Sequence, residues 1–253
     1  MRRKIMATTA QHSRPSVTIR PGVEMPDWSA VASPRAEEAL AAIVNLFRFT
    51  DGFTGFSAQE DLVRRTLIAL YGKSGGAPSA AEIAEAAGLE QAQTEAALEA
   101  LRRRDMVVLD KESGAIKGAY PFTERETEHR IKLGDATLNA MCAVDALGTG
   151  AMFARDCEIE SSCRHCGEPV RVTTADHGER LKSFEPDTAM VWNGIYYEGQ
   201  AATSLCTVIA FFCSPAHSEQ WLEGRENSNG YALTVAEAME VGKAIFRPVF
   251  AGD

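Results

Sequence analysis

The hydrophobic period changes at Pro121, and that change constrains the fold more than any other feature of the chain. Before it, apolar residues recur every three to four positions, as on helices. Leu40, Ile43 and Val44 lie on one such face, and Leu62, Leu67, Leu70 and Tyr71 on a second, over about 58–71. Ser79-Ala-Ala-Glu82 is a capping-box pattern opening a short helix that Gly88 stops. A longer helix, Gln91 to Arg104, follows with Ala97, Leu98 and Leu101 inward. Met106–Leu109 and Ala115–Tyr120 then read as a hairpin around the turn Asp110–Gly114. Short helix, turn, longer helix, hairpin is the order of a winged helix-turn-helix.

After Pro121, Val, Thr, Ile and Tyr become frequent between Gly and Asp. Residues 123–131 read as extended, Asp135 to Leu147 as a helix. Strands are predicted at about 157–161, 169–174, 188–192 and 204–212. Ser214-Pro215 opens a helix, with Ser as N-cap and Pro at the first helical position. A terminal helix is predicted from Leu233 to Ile245. The expected class is therefore α+β. A winged-helix-like helical domain over 36–122 precedes a mixed or antiparallel-sheet catalytic domain with flanking helices over 123–253. Residues 1–35, basic and rich in Pro, Ser and Arg, read as a disordered extension.

Charge and composition exclude some functions. A net charge of −9 argues against non-specific nucleic-acid binding, which depends on neutralising phosphates. The first turn of the would-be reading helix, Gln91-Ala-Gln-Thr-Glu-Ala, carries no Lys or Arg. Arg102, Arg103 and Arg104 sit at its C-terminal end, where the helix dipole favours cations in any protein. The module thus reads as a packing domain, with DNA recognition as the alternative. No apolar run approaches the ~18–20 residues of a membrane span. The basic start is not followed by an apolar h-region, so a cytoplasmic location is expected.

All six cysteines lie after residue 140: Cys142, Cys157, Cys163, Cys166, Cys206 and Cys213. In a cytoplasmic chain of this size such clustering favours metal binding or catalysis over a disulfide framework. Cys142 and Asp145, three apart on an expected helix, would share a face. Buried carboxyls are rare unless paired, and burial raises their pKa. Cys206 falls in an apolar run, where a lone Cys is more often packing than chemistry. Cys163-Arg-His-Cys166-Gly167 is a knuckle, and Cys213 and His217 are four apart at a helix start. Together they supply four ligands of the kind that hold tetrahedral zinc in a treble-clef layout. The alternatives are ordinary thiols with a surface histidine, or a knuckle that receives and passes on a soft metal ion. His165 and His177 read as solvated, and Cys157 as core or an accessory thiol.

Asn139-Ala-Met-Cys142-Ala-Val-Asp145-Ala-Leu, followed by Ser161-Ser-Cys163, resembles the bacterial organomercurial (alkylmercury) lyases. So do Cys206-Thr-Val-Ile-Ala-Phe-Phe212 and Ser214-x-x-His217-x-x-x-Trp221, as does the preceding module ending in Pro121-Phe-Thr-Glu-Arg-Glu-Thr. The resemblance covers about residues 37–225. It implies that Cys142 and Cys206 bind mercury and that Asp145 protonates the leaving carbon, giving hydrocarbon and Hg(II). It implies no organic cofactor, an organomercurial substrate, and delivery of Hg(II) to thiols of a mercuric reductase. The chain departs from the family pattern at Met141, where an aromatic is common, and at Gly148-Thr-Gly150, expected to loosen the segment after Asp145. The competing expectation is a metal-responsive winged-helix regulator or metal-binding protein without turnover. Asp145 discriminates between them, because a sensor needs thiols but no acid beside them.

Overall fold

The computed structural model describes residues 14–48, 54–226 and 228–252. The class is α+β. The described chain opens with a hairpin, β1 (Val17–Arg20) and β2 (Val23–Met25), then α1 (Pro34–Arg48). Next come α2 (Ala58–Ser74), α3 (Ala80–Ala87) and α4 (Gln91–Arg103). A three-stranded antiparallel sheet follows: β3 (Val107–Leu109), β4 (Ile116–Ala119) and β5 (Phe122–Thr123). Ser57 and Ser79 cap α2 and α3 in full capping boxes with Glu60 and Glu82. These caps satisfy amide N–H groups that have no partner within the helix.

The second half contains β6 (Arg130–Leu133), β7 (Ala136–Asn139), α5 (Ala143–Met152), β8 (Glu158–Ser162), β9 (Pro169–Ala175), β10 (Arg180–Glu185) and β11 (Met190–Gly194). After these come β12 (Ile209–Phe212), α6 (Pro215–Leu222), β13 (Gly230–Thr234) and α7 (Val235–Phe246). One antiparallel sheet has the order β10-β9-β8-β6-β7, and another the order β12-β11-β13. An isolated bridge between Phe122 and Ala140 joins the end of β7 to the first half of the molecule.

The helix expected over 135–147 is instead β7 followed by α5. Ala136 and Leu138 point inward, and the register pairs Leu133 with Ala136 across the turn Gly134-Asp135. Apolar residues at 136, 138, 140 and 141 fit either period, so tertiary pairing decides. Likewise the strand expected at 204–212 begins only at Ile209, and the terminal helix only at Val235.

Gly148 and Gly150 are not loosening elements. Both lie inside α5, whose ten residues are all buried. A side-chain carbon on Gly148 would stand 2.5 Å from the carbonyl oxygen of Gly242, and one on Gly242 would stand 2.7 Å from the amide nitrogen of Gly148. Two bare backbones thus bring α5 and α7 into contact, fixing α5 and the residues at its N-terminus.

The extension expected to be disordered is ordered from residue 14; residues 1–13 lie outside the described residues. Val17, Ile19 and Met25 are buried. The Arg20 guanidinium pairs with Asp61 at 3.4 Å and donates to the carbonyl of Val249 at 3.2 Å. Asp27 N–H donates to the carbonyl of Ala244 at 2.8 Å. These partners lie far along the chain, so a local window sees only Pro, Ser and Arg. No helix among the described residues is long and apolar enough to cross a membrane.

Candidate functional site

Cys142, Asp145 and Cys206 come from two separate elements and meet in the interior. Cys142 is the N-cap of α5, in extended conformation, and Asp145 lies in the first turn. The sulfur takes the place usually held by a capping oxygen, accepting the Asp145 N–H at 3.4 Å. The pair is therefore cap and first turn, rather than two positions on one helix face. Cys206 sits in a short 3-10 turn, Leu205–Val208, immediately before β12. Its thiol donates to Asp145 Oδ2 at 3.8 Å. The ligand atoms of all three lie within 4.8 Å of one another. Cys142 is 2% exposed, Asp145 6% and Cys206 6%.

Burial raises the Asp145 carboxyl to about 7, against the opposing hydrogen bonds from Cys142 and Cys206. A carboxyl poised there can both accept and donate a proton near neutrality. Burial, the hydrogen bond with Cys206 and the Asp145 charge push the Cys142 thiol well above the usual range. At Cys206 the hydrogen bond from Cys142 favours the thiolate. Burial and the charges of Asp145 and Asp105 outweigh it, and this thiol is raised as well. Both thiols therefore rest protonated and need a base to react, and Asp145 is the base within reach.

A supporting layer went unseen in the sequence. Asp105, in the left-handed conformation at φ 60° after α4, accepts the Ala201 N–H at 2.7 Å and the Tyr197 hydroxyl at 3.3 Å. The Tyr120 hydroxyl accepts the Ala202 N–H at 2.7 Å. The loop leading to Cys206 is thus pinned to the first half of the chain. Asp tolerates a positive φ better than most residues, so Asp105 was readable as a turn but not as an anchor. Beside this layer, Met141, Ala202 and Thr203 help line a surface hollow of about 390 Å³, which Lys117 and Arg125 also border. Met141 directly precedes Cys142, so the hollow lies at the edge of the buried site.

The second cluster also assembles. Cys163, Cys166, Cys213 and His217 have their ligand atoms within 4.8 Å of one another. Burial pushes the Cys163 thiol up, but the backbone N–H groups of Cys213, Cys166 and His165, together with His217, bring it down to about 6. Burial and the neighbouring Cys163 and Cys166 push Cys213 up to about 12. Cys157 belongs to neither cluster; it is buried against Thr174. His165 and His177 are exposed.

Two buried thiols and a buried carboxyl on an α+β scaffold define a cysteine-based site for a soft metal or its compounds. The comparisons with known proteins narrow that class. Residues 122–247 match the family model described as MerB, alkylmercury lyase. An alkylmercury lyase of Bacillus cereus is 33% identical over 135 residues, which are 52% of this chain and 59% of the relative. One from Streptomyces lividans is 31% identical over 144 residues, 56% of this chain and 64% of the relative. A crystal structure of the mercury-bound form of MerB2 shares the fold, with a TM-score of 0.67 and 22% identity, covering 86% of this chain and 100% of that one. Through residues 122–247 the chain belongs to the alkylmercury lyase family. The matched stretch spans roughly three-fifths of the length of these curated relatives.

Proposed function

We propose that the protein cleaves the carbon–mercury bond of organomercurials by protonolysis, with Cys142, Asp145 and Cys206 as its catalytic residues. The observation that carries the reading is the buried carboxyl, raised to about 7, in hydrogen-bond contact with one of two adjacent thiols.

The chemistry follows from the resting protonation states. An organomercurial R–Hg–X exchanges X for the sulfur of Cys142, and the thiol proton leaves with X. Cys206 passes its proton to the Asp145 carboxylate as its sulfur binds the same mercury. Two thiolates on the soft metal weaken the Hg–C bond. The Asp145 carboxyl delivers its proton to that carbon, and the Hg–C electron pair becomes the new C–H bond. Hydrocarbon departs, mercury remains divalent on two sulfurs, and Asp145 is again a carboxylate. No electron is gained or lost overall, so the reaction needs no organic cofactor. Two incoming thiols then extract Hg(II) and return the protons. In a cytoplasm that keeps thiols reduced, those of a mercuric reductase are the natural recipients.

In this reading residues 123–253 form the catalytic domain, and 36–122 a winged-helix-like module that packs rather than reads DNA. Its basic run supports the packing role: Arg102 is held by Glu99, and Arg104 pairs with Glu60 and donates to the carbonyl of Thr54. A regulator would have no use for a raised carboxyl against its thiols. The test is gas chromatography of methane or benzene released from methylmercury or phenylmercury under excess thiol. Hydrocarbon from the wild type, lost in Cys142→Ser and Asp145→Ala, supports the reading. Mercury bound without hydrocarbon released would refute it.

A further inference from the structure

The knuckle Cys163–Gly167 closes a turn between β8 and β9. Cys163 N–H donates to the Glu168 carbonyl at 2.8 Å, and Gly167 N–H to the Cys163 carbonyl at 2.8 Å. Gly167 takes a φ of 79°, which lets the chain reverse directly after Cys166. Across from it, Cys213 directly follows β12, and Ser214 caps α6 through the His217 N–H at 3.3 Å, which turns His217 back toward Cys213. Two elements distant in sequence thus present three sulfurs and one imidazole to a common point.

The spacings suit an ion at that point. Four ligands in a tetrahedron with metal–sulfur bonds of ~2.3 Å have sulfurs about 3.8 Å apart, and sulfur to nitrogen slightly less. Cys166 Sγ and Cys213 Sγ are 3.8 Å apart, and Cys163 Sγ and His217 Nδ1 3.7 Å. Cys213 Sγ and His217 Nδ1 are 3.0 Å apart. Three buried or half-buried ligands and one exposed thiol, Cys166, leave a path for entry. Three soft sulfurs and one imidazole select zinc over hard cations, and a closed set of four protein ligands marks a structural rather than a catalytic site.

We propose that Cys163, Cys166, Cys213 and His217 hold a resident structural zinc ion, separate from the thiols of Cys142 and Cys206. It joins the turn of the five-stranded sheet to the strand that follows Cys206. The knuckle already grips that segment. Arg164 N–H donates to the Phe211 carbonyl at 3.0 Å, and the Arg164 side chain donates to the Thr207 carbonyl at 3.0 Å while pairing with Glu128. The site stands whether or not the protein is a lyase.

The experiment is elemental analysis of full-length protein purified from zinc-supplemented, mercury-free medium, followed by Co(II) exchange. One zinc per chain is expected in the wild type and in the Cys142→Ser/Cys206→Ser double variant. In Cys166→Ser and His217→Ala it should fall at least about tenfold. Co(II) in the wild type should give the intense visible absorption of a tetrahedral thiolate complex. Removing zinc from the wild type should lower the melting temperature by about 10 °C. Zinc lost from the double variant and kept in Cys166→Ser would overturn the proposal. So would a wild type that neither carries zinc nor gives the tetrahedral Co(II) spectrum, a readout independent of whether any variant folds.

Discussion

Asp145→Asn is the substitution through which the buried carboxyl can be weighed. Asn keeps the shape of the side chain and removes its charge. The Asp145 carboxyl is raised by burial from 3.8 to about 7. The unfolded chain therefore ionises this group several pH units before the folded protein does. Between those values the unfolded state binds fewer protons, so stability falls as pH rises. The contribution is whole below the unfolded pKa and is lost by the time pH has passed about 7. Each pKa unit is worth about 1.4 kcal/mol, so the full loss is about 4 kcal/mol. Of this, roughly 2–3 kcal/mol falls between pH 5 and pH 8, a window below the titration of the raised thiols. The amide that replaces the carboxyl does not titrate and contributes no such dependence. The assay is urea unfolding of both proteins at pH 5, 6, 7 and 8. Relative to the variant, the wild type should lose that roughly 2–3 kcal/mol across the window and then level off. A stability difference independent of pH would refute the argument that Asp145 is desolvated, and with it the basis for its dual role in proton transfer. The same variant should bind mercury while releasing hydrocarbon at least about a hundredfold more slowly, the usual scale for a lost general acid.

In wild type, kcat/KM for phenylmercury should rise with pH through about 7, as Asp145 becomes able to accept the Cys206 proton; the rise should vanish in Asp145→Asn. Gly148→Ala should destabilise by about 1–3 kcal/mol in chemical denaturation, because its new carbon meets the Gly242 backbone at 2.5 Å. Asp105→Ala should strip the Ala201 N–H of its acceptor and leave the Tyr197 hydroxyl with the Gly199 carbonyl at 3.2 Å. That should cost about 1–3 kcal/mol in melting experiments and speed amide exchange in the loop before Cys206. Arg20→Ala should destabilise by about 1–3 kcal/mol, since Arg20 joins β1 to Asp61 and to the carbonyl of Val249.

The helices α2 to α4 were legible because their signals are local: a 3.6-residue apolar period, with the capping box at Ser79 and the stop at Gly88 bounding α3; the second capping box, at Ser57, became apparent only in the structure. Cys142 and Asp145 were legible as a pair because three residues separate them, although the pair proved to be a cap and a first turn. The strands β7 and β13 were not, since each is a few residues long and its apolar positions fit two periods. The first hairpin was missed for a different reason: Val17, Ile19 and Met25 find their core only when residues 244–249 return beside them.

By itself, then, the sequence determined the order of helices before Pro121, the change to strands after it, and the local pairs Cys142–Asp145, Cys163–Cys166 and Cys213–His217, since these depend on neighbours within a few residues. What only the tertiary structure decided is which of those residues meet. Cys206 reaches Asp145 because β12 pairs with β11 while α5 is held against α7 by Gly148 and Gly242. Asp105 reaches the loop before Cys206 from the other half of the chain. Such contacts join residues roughly 60 to 100 apart, and packing, rather than any local period, sets them.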